Sequence, residues 1–207
     1  MKHLPNIITL SRVPILFVIA ALIELAVPLD GGRPVPYCAS VAFALYLLGA
    51  ISDWADGWVA RRYNIVSLFG KLMDALTDKI LNTGMFIALL AFGLLPRWCL
   101  FVVLIVLVRE LLITGLRLVA AGKGIILAAE RSGKIKTLLQ FVAIAILLGA
   151  EAATTDAWPL PAAVIDGFRL SGMVCFYVAG LLTLTSGVGY LVKYWDVFVG
   201  EDVVCKK

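Results

Sequence analysis

The sequence predicts an all-α polytopic membrane protein with six transmembrane helices, and three observations predict it. The chain is 62% hydrophobic and 15% charged, with a mean hydropathy of +1.00. Its apolar residues fall into runs long enough to cross a hydrocarbon core of about 30 Å, separated by short polar breaks. Its lysines and arginines gather at alternate breaks. A soluble domain of 207 residues has no use for so much apolar surface.

Taken in order, the expected spans are Asn6–Pro28, Pro36–Arg62, Leu68–Leu95, Trp98–Ala121, Thr137–Ala153 and Leu170–Val192. The opening "MKHLPNIITL" invites comparison with a secretory leader. Its apolar run is too long for that and carries Asn6, Ser11 and Arg12, so a retained first span is expected. Pro14 removes one backbone donor inside it. The breaks read "LDGGRPVP", "RRYNIVS", "GLLPR", "GKGIILAAERSGK" and "TTDAWPLPAAVIDG". No internal repeat or second domain is visible, so residues 1–207 are expected to act as one domain. Cys38, Cys99, Cys175 and Cys205 form no CxxC pair, and three of them lie in apolar stretches as membrane filler.

Orientation follows from the cations. With both termini cytoplasmic, Lys2, Arg12, Arg61, Arg62, Lys71, Lys79, Arg117, Lys123, Arg131, Lys134, Lys136, Lys193, Lys206 and Lys207 fall at or near the inner side. Arg33, Arg97 and Arg169 fall opposite, among Asp30, Glu151, Asp156 and Asp166. This is the positive-inside pattern. Trp98, Trp158, Tyr190, Tyr194 and Trp195 stand where interfacial aromatics belong.

Four carboxylates interrupt this apolar chain within "SDWADGWVARRYNIVSLFGKLMDALTDK". On a helix Asp53, Asp56, Gly57 and Ala60 share one face, and Asp74 and Asp78 share another. The short link between the two helices makes them antiparallel neighbours whose polar faces meet. A carboxylate near the bilayer centre costs roughly 3 kcal/mol, and converging like charges add repulsion. Divalent cations relieve both, and oxygen-only ligands suit Mg²⁺ or Mn²⁺. Two metals sharing carboxylates form the clamp used for displacement at phosphorus. Two other readings stay open on these residues alone: pairing of the acids with Arg61, Arg62, Lys71 and Lys79, or a proton or cation relay in a transporter.

The stretch fits D-x2-D-G-x2-A-R-x8-G-x3-D-x3-D at Asp53, Asp56, Gly57, Ala60, Arg61, Gly70, Asp74 and Asp78. In this it resembles the CDP-alcohol phosphotransferase family. The resemblance implies a six-helix membrane enzyme, usually a homodimer, that moves a phosphatidyl or similar group from a CDP-linked donor to an alcohol and releases CMP. It implies that Asp53 and Asp74 bridge two divalent cations, that Asp56 binds one and Asp78 the other, and that Asp78 serves as base. It places Gly57, Ala60, Arg61, Ser67 and Gly70, with Asn6 and Thr9 of "PNIITLSR", near the nucleotide. A bacterial inner membrane is the implied location.

The acceptor is read from later segments. In "VLVRELLITGLRLV", Glu110, Thr114 and Arg117 share a face, with Arg109 beside them deep in the span, and Lys134 and Lys136 head the fifth span. Cations beside a carboxylate site suit an anionic acceptor such as an alcohol phosphate. They also serve topology, and Arg109 can pair with Glu110. "PNIITLSRV", "VRELLITGLR" and "GKIKTLLQ" resemble the branch of the family that joins CDP-diacylglycerol to sn-glycerol 3-phosphate. That resemblance implies acceptor-site roles for Arg109, Glu110, Arg117, Lys134 and Lys136. Cardiolipin synthases, which use phosphatidylglycerol, share parts of these segments. The expected partners are therefore the two substrates, the lipid bilayer and a second copy of the chain; no nucleic acid is expected.

Overall fold

Six long helices follow one another in the computed structural model, which describes the backbone of residues 4–29, 31–63, 68–122 and 131–195. Side chains are described for 11–29, 31–51, 76–77, 79–120, 133 and 135–195. The helices are α1 (Leu4–Ala26), α2 (Cys38–Tyr63), α3 (Leu68–Ala91), α4 (Leu100–Gly122), α5 (Arg131–Thr155) and α6 (Ala162–Lys193), with a 3₁₀ turn at Arg97–Cys99 leading into α4. No strand occurs among the described residues.

Three segments are long and apolar enough to cross a membrane: Arg97–Ala120, Ile135–Thr155 and Ala162–Lys193. Cys38–Ile51 and Lys79–Ala91 are shorter apolar helical stretches. The protein is thus an all-helical chain with at least three such segments among the described residues.

Paired contacts give the helix directions. A Cβ built on Gly180 would meet Val102, and one on Gly187 would meet Arg109, so the registers of α4 and α6 advance together and the two helices are parallel. Between α5 and α6 the order reverses: Gly172 meets Leu147, while Gln140 reaches Thr183. Between α2 and α5 it reverses too, since Phe43 lies against Gly149 and Tyr46 against Phe141. At Gly84 the Leu16 side chain of α1 occupies the space a side chain would need, so α1 and α3 approach closely.

One core joins all six helices. Ile19, Tyr46, Met85, Phe86, Leu89, Val103, Ile144 and Phe176 are almost fully buried in it. Phe86 and Phe176 meet edge to face at 5.1 Å. Large apolar side chains such as Phe17, Phe101, Leu111, Leu138, Leu170 and Val192 point outward instead. An outward apolar face on helices of this length is what a lipid surround requires.

The helix limits differ from the expected spans where local chemistry overrides hydropathy. α6 starts at Ala162, eight residues before Leu170, because Pro161 sits at its N-cap with φ −60° and ψ 143°. Exposed Asp166 and Gly167 therefore belong to a helix, not a loop. α5 starts at Arg131 instead of Thr137. α3 ends at Ala91, short of Leu95, because Gly93 takes φ +77° and the Leu95 amide turns back to the Leu89 carbonyl at 3.0 Å.

The start of α2 is capped from elsewhere in the chain. Asp156 accepts the amides of Tyr37 (2.7 Å) and Ser40 (2.8 Å) and the Ser40 hydroxyl. Trp158 Nε1 donates to Ser40 Oγ at 3.0 Å. Tyr37 and Ala157, flanking this clamp, both hold positive φ, 64° and 49°. Such conformations cost L-residues energy, and the carboxylate–amide bonds hold them in place. Trp158 is thus tied into the bundle, and Tyr190, expected at the interface, is buried.

Candidate active site

The residues matching the aspartate pattern lie on α2 and α3. Positions 53, 56, 57, 60 and 61 fall within Cys38–Tyr63, and 70, 74 and 78 within Leu68–Ala91. The side chains of Asp53, Asp56, Gly57, Ala60, Arg61, Gly70, Asp74 and Asp78 lie outside the described residues, as do those of Asn6, Thr9 and Lys134. Ser67 lies outside them altogether.

The neighbouring turns are described, and they bring the two helices together. A Cβ on Gly49 of α2 would lie 3.9 Å from Leu81 Cδ2 of α3. Gly49 is one turn before Asp53, and Leu81 is one turn after Asp78. The polar side of α3 faces inward here: Thr77, Asn82 and Thr83 are all buried. Arg12 of α1 is buried as well, 3% exposed.

A polar layer continues from α3 across the bundle. Lys79, Asn82, Thr83, Glu110, Thr137 and Gln140 line a cavity of about 40 Å³ between α3, α4 and α5. That is room for ordered water among polar walls. The Asn82 Oδ1 atom has no hydrogen-bond partner among the described residues. Gln140 Nε2 donates to Thr183 Oγ1 (3.3 Å), whose hydroxyl donates to the Ala179 carbonyl (2.6 Å). Thr114 and Thr137 turn their hydroxyls to their own helices, onto Glu110 O and Gly133 O.

Glu110 is the hub of this layer. Its Oε1 accepts from Lys136 Nζ of α5 and from Arg109 Nη1 at 3.3 Å. Lys136 is 2% exposed and Glu110 8%. A charge so deep requires a partner, and each supplies the other's. Arg109 turns away from the cavity, its Nη2 donating to Ser186 Oγ of α6 at 3.3 Å and its stem lying on Gly187. Arg117 likewise reaches α6, where Nε donates to Tyr190 Oη at 3.4 Å. Of the residues nominated for the acceptor, the structure therefore unites Arg109, Glu110 and Lys136, and sends Arg117 to a separate contact. The Glu110 carboxylate is itself engaged by two of the nominated cations, Arg109 and Lys136.

Sequence reasoning passed over Asn82, Gln140 and the burial of Arg12. The first two had a signal. Asn82 follows Asp78 by four residues and Gln140 follows Lys136 by four, so each extends a polar stripe by one turn.

Comparison with known proteins finds a family and named relatives along most of the chain. A family model described as CDP-alcohol phosphatidyltransferase matches residues 2–185. The chain is 35% identical over 202 residues to a Bacillus subtilis (strain 168) protein named CDP-diacylglycerol–glycerol-3-phosphate 3-phosphatidyltransferase, covering 95% of this chain and 97% of that one. A Rickettsia typhi protein of the same name is 31% identical over 191 residues, 92% of this chain and 96% of its own. A Mycobacterium tuberculosis (strain H37Rv) protein named probable phosphatidylglycerophosphate synthase is 33% identical over 191 residues, 92% and 81% of the two chains.

Proposed function

The chain belongs to the CDP-alcohol phosphatidyltransferase family, and from that premise we propose that it transfers the phosphatidyl group of CDP-diacylglycerol to sn-glycerol 3-phosphate. The products are phosphatidylglycerol phosphate and CMP. The observation that carries this reading is the eight-position aspartate pattern on α2 and α3, beside helix turns that touch at Gly49 and Leu81. It is supported by relatives named for this reaction along nearly their whole length.

In this reading residues 1–207 form one domain with six spans, both termini on the cytoplasmic side of a bacterial inner membrane, and pair as a homodimer. Asp53, Asp56, Asp74 and Asp78 hold two divalent cations, Mg²⁺ or Mn²⁺. The donor set fits such ions: four carboxylates on adjoining helices, with no histidine or cysteine among positions 52–79. When bound, the ions offset pyrophosphate charge and acidify the acceptor hydroxyl.

The residues of the chain do the rest. Gly57, Ala60 and Gly70 leave room for the nucleotide, and Arg61, Ser67, Asn6 and Thr9 orient it. The acceptor hydroxyl oxygen attacks the β-phosphorus, the bond to the CMP oxygen breaks, and Asp78 takes the hydroxyl proton. Lys134 and Lys136, with Arg109 and Arg117 adding to the field, attract the acceptor phosphate. Glu110 holds Lys136 and Arg109 in position.

The deciding assay supplies purified protein with CDP-diacylglycerol and either labelled glycerol 3-phosphate or phosphatidylglycerol, with Mg²⁺ and Mn²⁺ compared and CMP followed. Product with glycerol 3-phosphate is expected. Product with phosphatidylglycerol alone would make the enzyme a cardiolipin synthase, and cation flux without CMP a transporter.

A further inference from the structure

The polar cavity between α3, α4 and α5 is walled by two acceptors that no donor reaches among the described residues. Asn82 lines it and is 4% exposed, and its Oδ1 has no hydrogen-bond partner there. Glu110 lines it from α4, and both cations that bond its carboxylate do so at Oε1. Its Oε2 accepts no hydrogen bond among the described residues. Thr137 adds a third acceptor, since its hydroxyl proton is committed to the Gly133 carbonyl. Buried acceptors are costly without donors, so this space calls for an occupant that donates.

Size and charge select that occupant. The cavity measures about 40 Å³, room for about one or two water molecules and too little for a phosphate group. An anion would also meet the Glu110 carboxylate. A metal ion would meet Lys79 on the same wall, and a carboxylate already neutralised by Lys136 and Arg109. Water meets neither objection, and it brings two protons to the two open acceptors.

We infer that a water held here bridges Asn82 to Glu110 Oε2, and that through it Asn82 is a positioning residue for Lys136. The torsion that turns a carboxylate about its own axis is broad and nearly two-fold. Bonds to one oxygen therefore leave the group free to swing, and a bond to the second stops it. Glu110 then presents a fixed Oε1 to Lys136, whose flexible stem has no other hydrogen-bonded anchor among the described residues. Asn82 stands one turn after Asp78 on α3. The bridge thus ties the aspartate helix to a cation that attracts the acceptor phosphate. The linkage stands on the cavity alone, and its effect on the acceptor rests on the phosphatidyl-transfer reading.

The test uses the full chain in detergent, with CDP-diacylglycerol, glycerol 3-phosphate and CMP release, beside a wild-type structure at a resolution that shows water. A water within hydrogen-bond distance of both Asn82 and Glu110 is expected; a dry cavity, or a water that fails to bridge the two, overturns the inference. Asn82→Leu keeps the size of the side chain and removes its polar atoms. It should raise the apparent KM for glycerol 3-phosphate roughly tenfold, and leave kcat and the KM for CDP-diacylglycerol within about twofold of wild type. Asn82→Ser keeps a hydroxyl and makes room for a second water, so it should return that KM to within about threefold of wild type. Unchanged kinetics in Asn82→Leu, a loss shared by both KM values, a fall in kcat alone, or a serine variant as impaired as the leucine one each overturns the inference. Should Asn82→Leu not fold, the serine variant and the wild-type water still decide. Wild type that makes no product from glycerol 3-phosphate sinks the reaction reading and the acceptor role with it, while the water decides the linkage separately.

Discussion

Glu110 and Lys136 show how costly single side chains are organised in this protein. Each is nearly inaccessible, and each neutralises the other. Removing one partner strands a charge, so Glu110→Gln and Lys136→Met should each destabilise the protein by about 3–5 kcal/mol. Replacing both with apolar residues should recover most of that loss, as thermal unfolding in detergent would show. Asp78, in its proposed role as base, should respond differently. Asp78→Asn should leave the unfolding transition unchanged and reduce CMP release by roughly 10²–10⁴-fold, the usual worth of a general base. At this scale the sequence was informative about identity but not about direction. Arg109 was recognisable as an intramembrane cation, yet its turn toward Ser186 and Gly187 depends on which face of α4 meets α6, and that is set by packing.

Helices are joined here by glycine-lined approaches and by one long-range cap. A Cβ at Gly180 would sit 2.5 Å from Val102 Cγ1, on a stiff β-branched side chain. Gly180→Ala should therefore cost about 1–3 kcal/mol through overpacking. Gly115→Ala is the control: nothing lies within 4 Å of its added carbon, so the same change there should be neutral or stabilise by about 0.4–1 kcal/mol. Asp156→Ala removes the acceptor for the first amides of α2. It should cost about 1–2 kcal/mol, read as a lowered unfolding temperature. Hydropathy located each of the six helices, because long apolar runs leave little choice. It missed where α6 begins and where α3 stops, since Pro161 and Gly93 act through backbone dihedrals, and it began α5 six residues late, at Thr137 instead of Arg131. Nor could it show that Asp156, 119 residues from Tyr37, would cap α2; that pairing exists only once the bundle is assembled.

Across the whole molecule, positive charge and apolar surface divide the work. In the proposed reaction the donor carries acyl chains that lipid would hold, whereas the acceptor is a small anion that cations would draw. High salt should therefore raise the apparent KM for glycerol 3-phosphate more than that for CDP-diacylglycerol. Equal shifts would argue against an electrostatic acceptor pocket. The family was legible in the sequence through the fixed spacing of Asp53, Asp56, Asp74 and Asp78, whose side chains lie outside the described residues. The cavity beside Asn82 and Gln140 was not, because it forms from three helices whose relative rotation no local pattern encodes.

The clamp at Ser40 has a mechanical consequence. α2 is a rod of 26 residues, pinned at its first turn to the end of α5, with its aspartates toward the opposite tip. A rod fixed at one foot responds to a load by pivoting there. At 1.5 Å per residue, a rocking of about 3° would carry the far tip roughly 2 Å, so small tilts could set the spacing between carboxylates without disturbing the anchor.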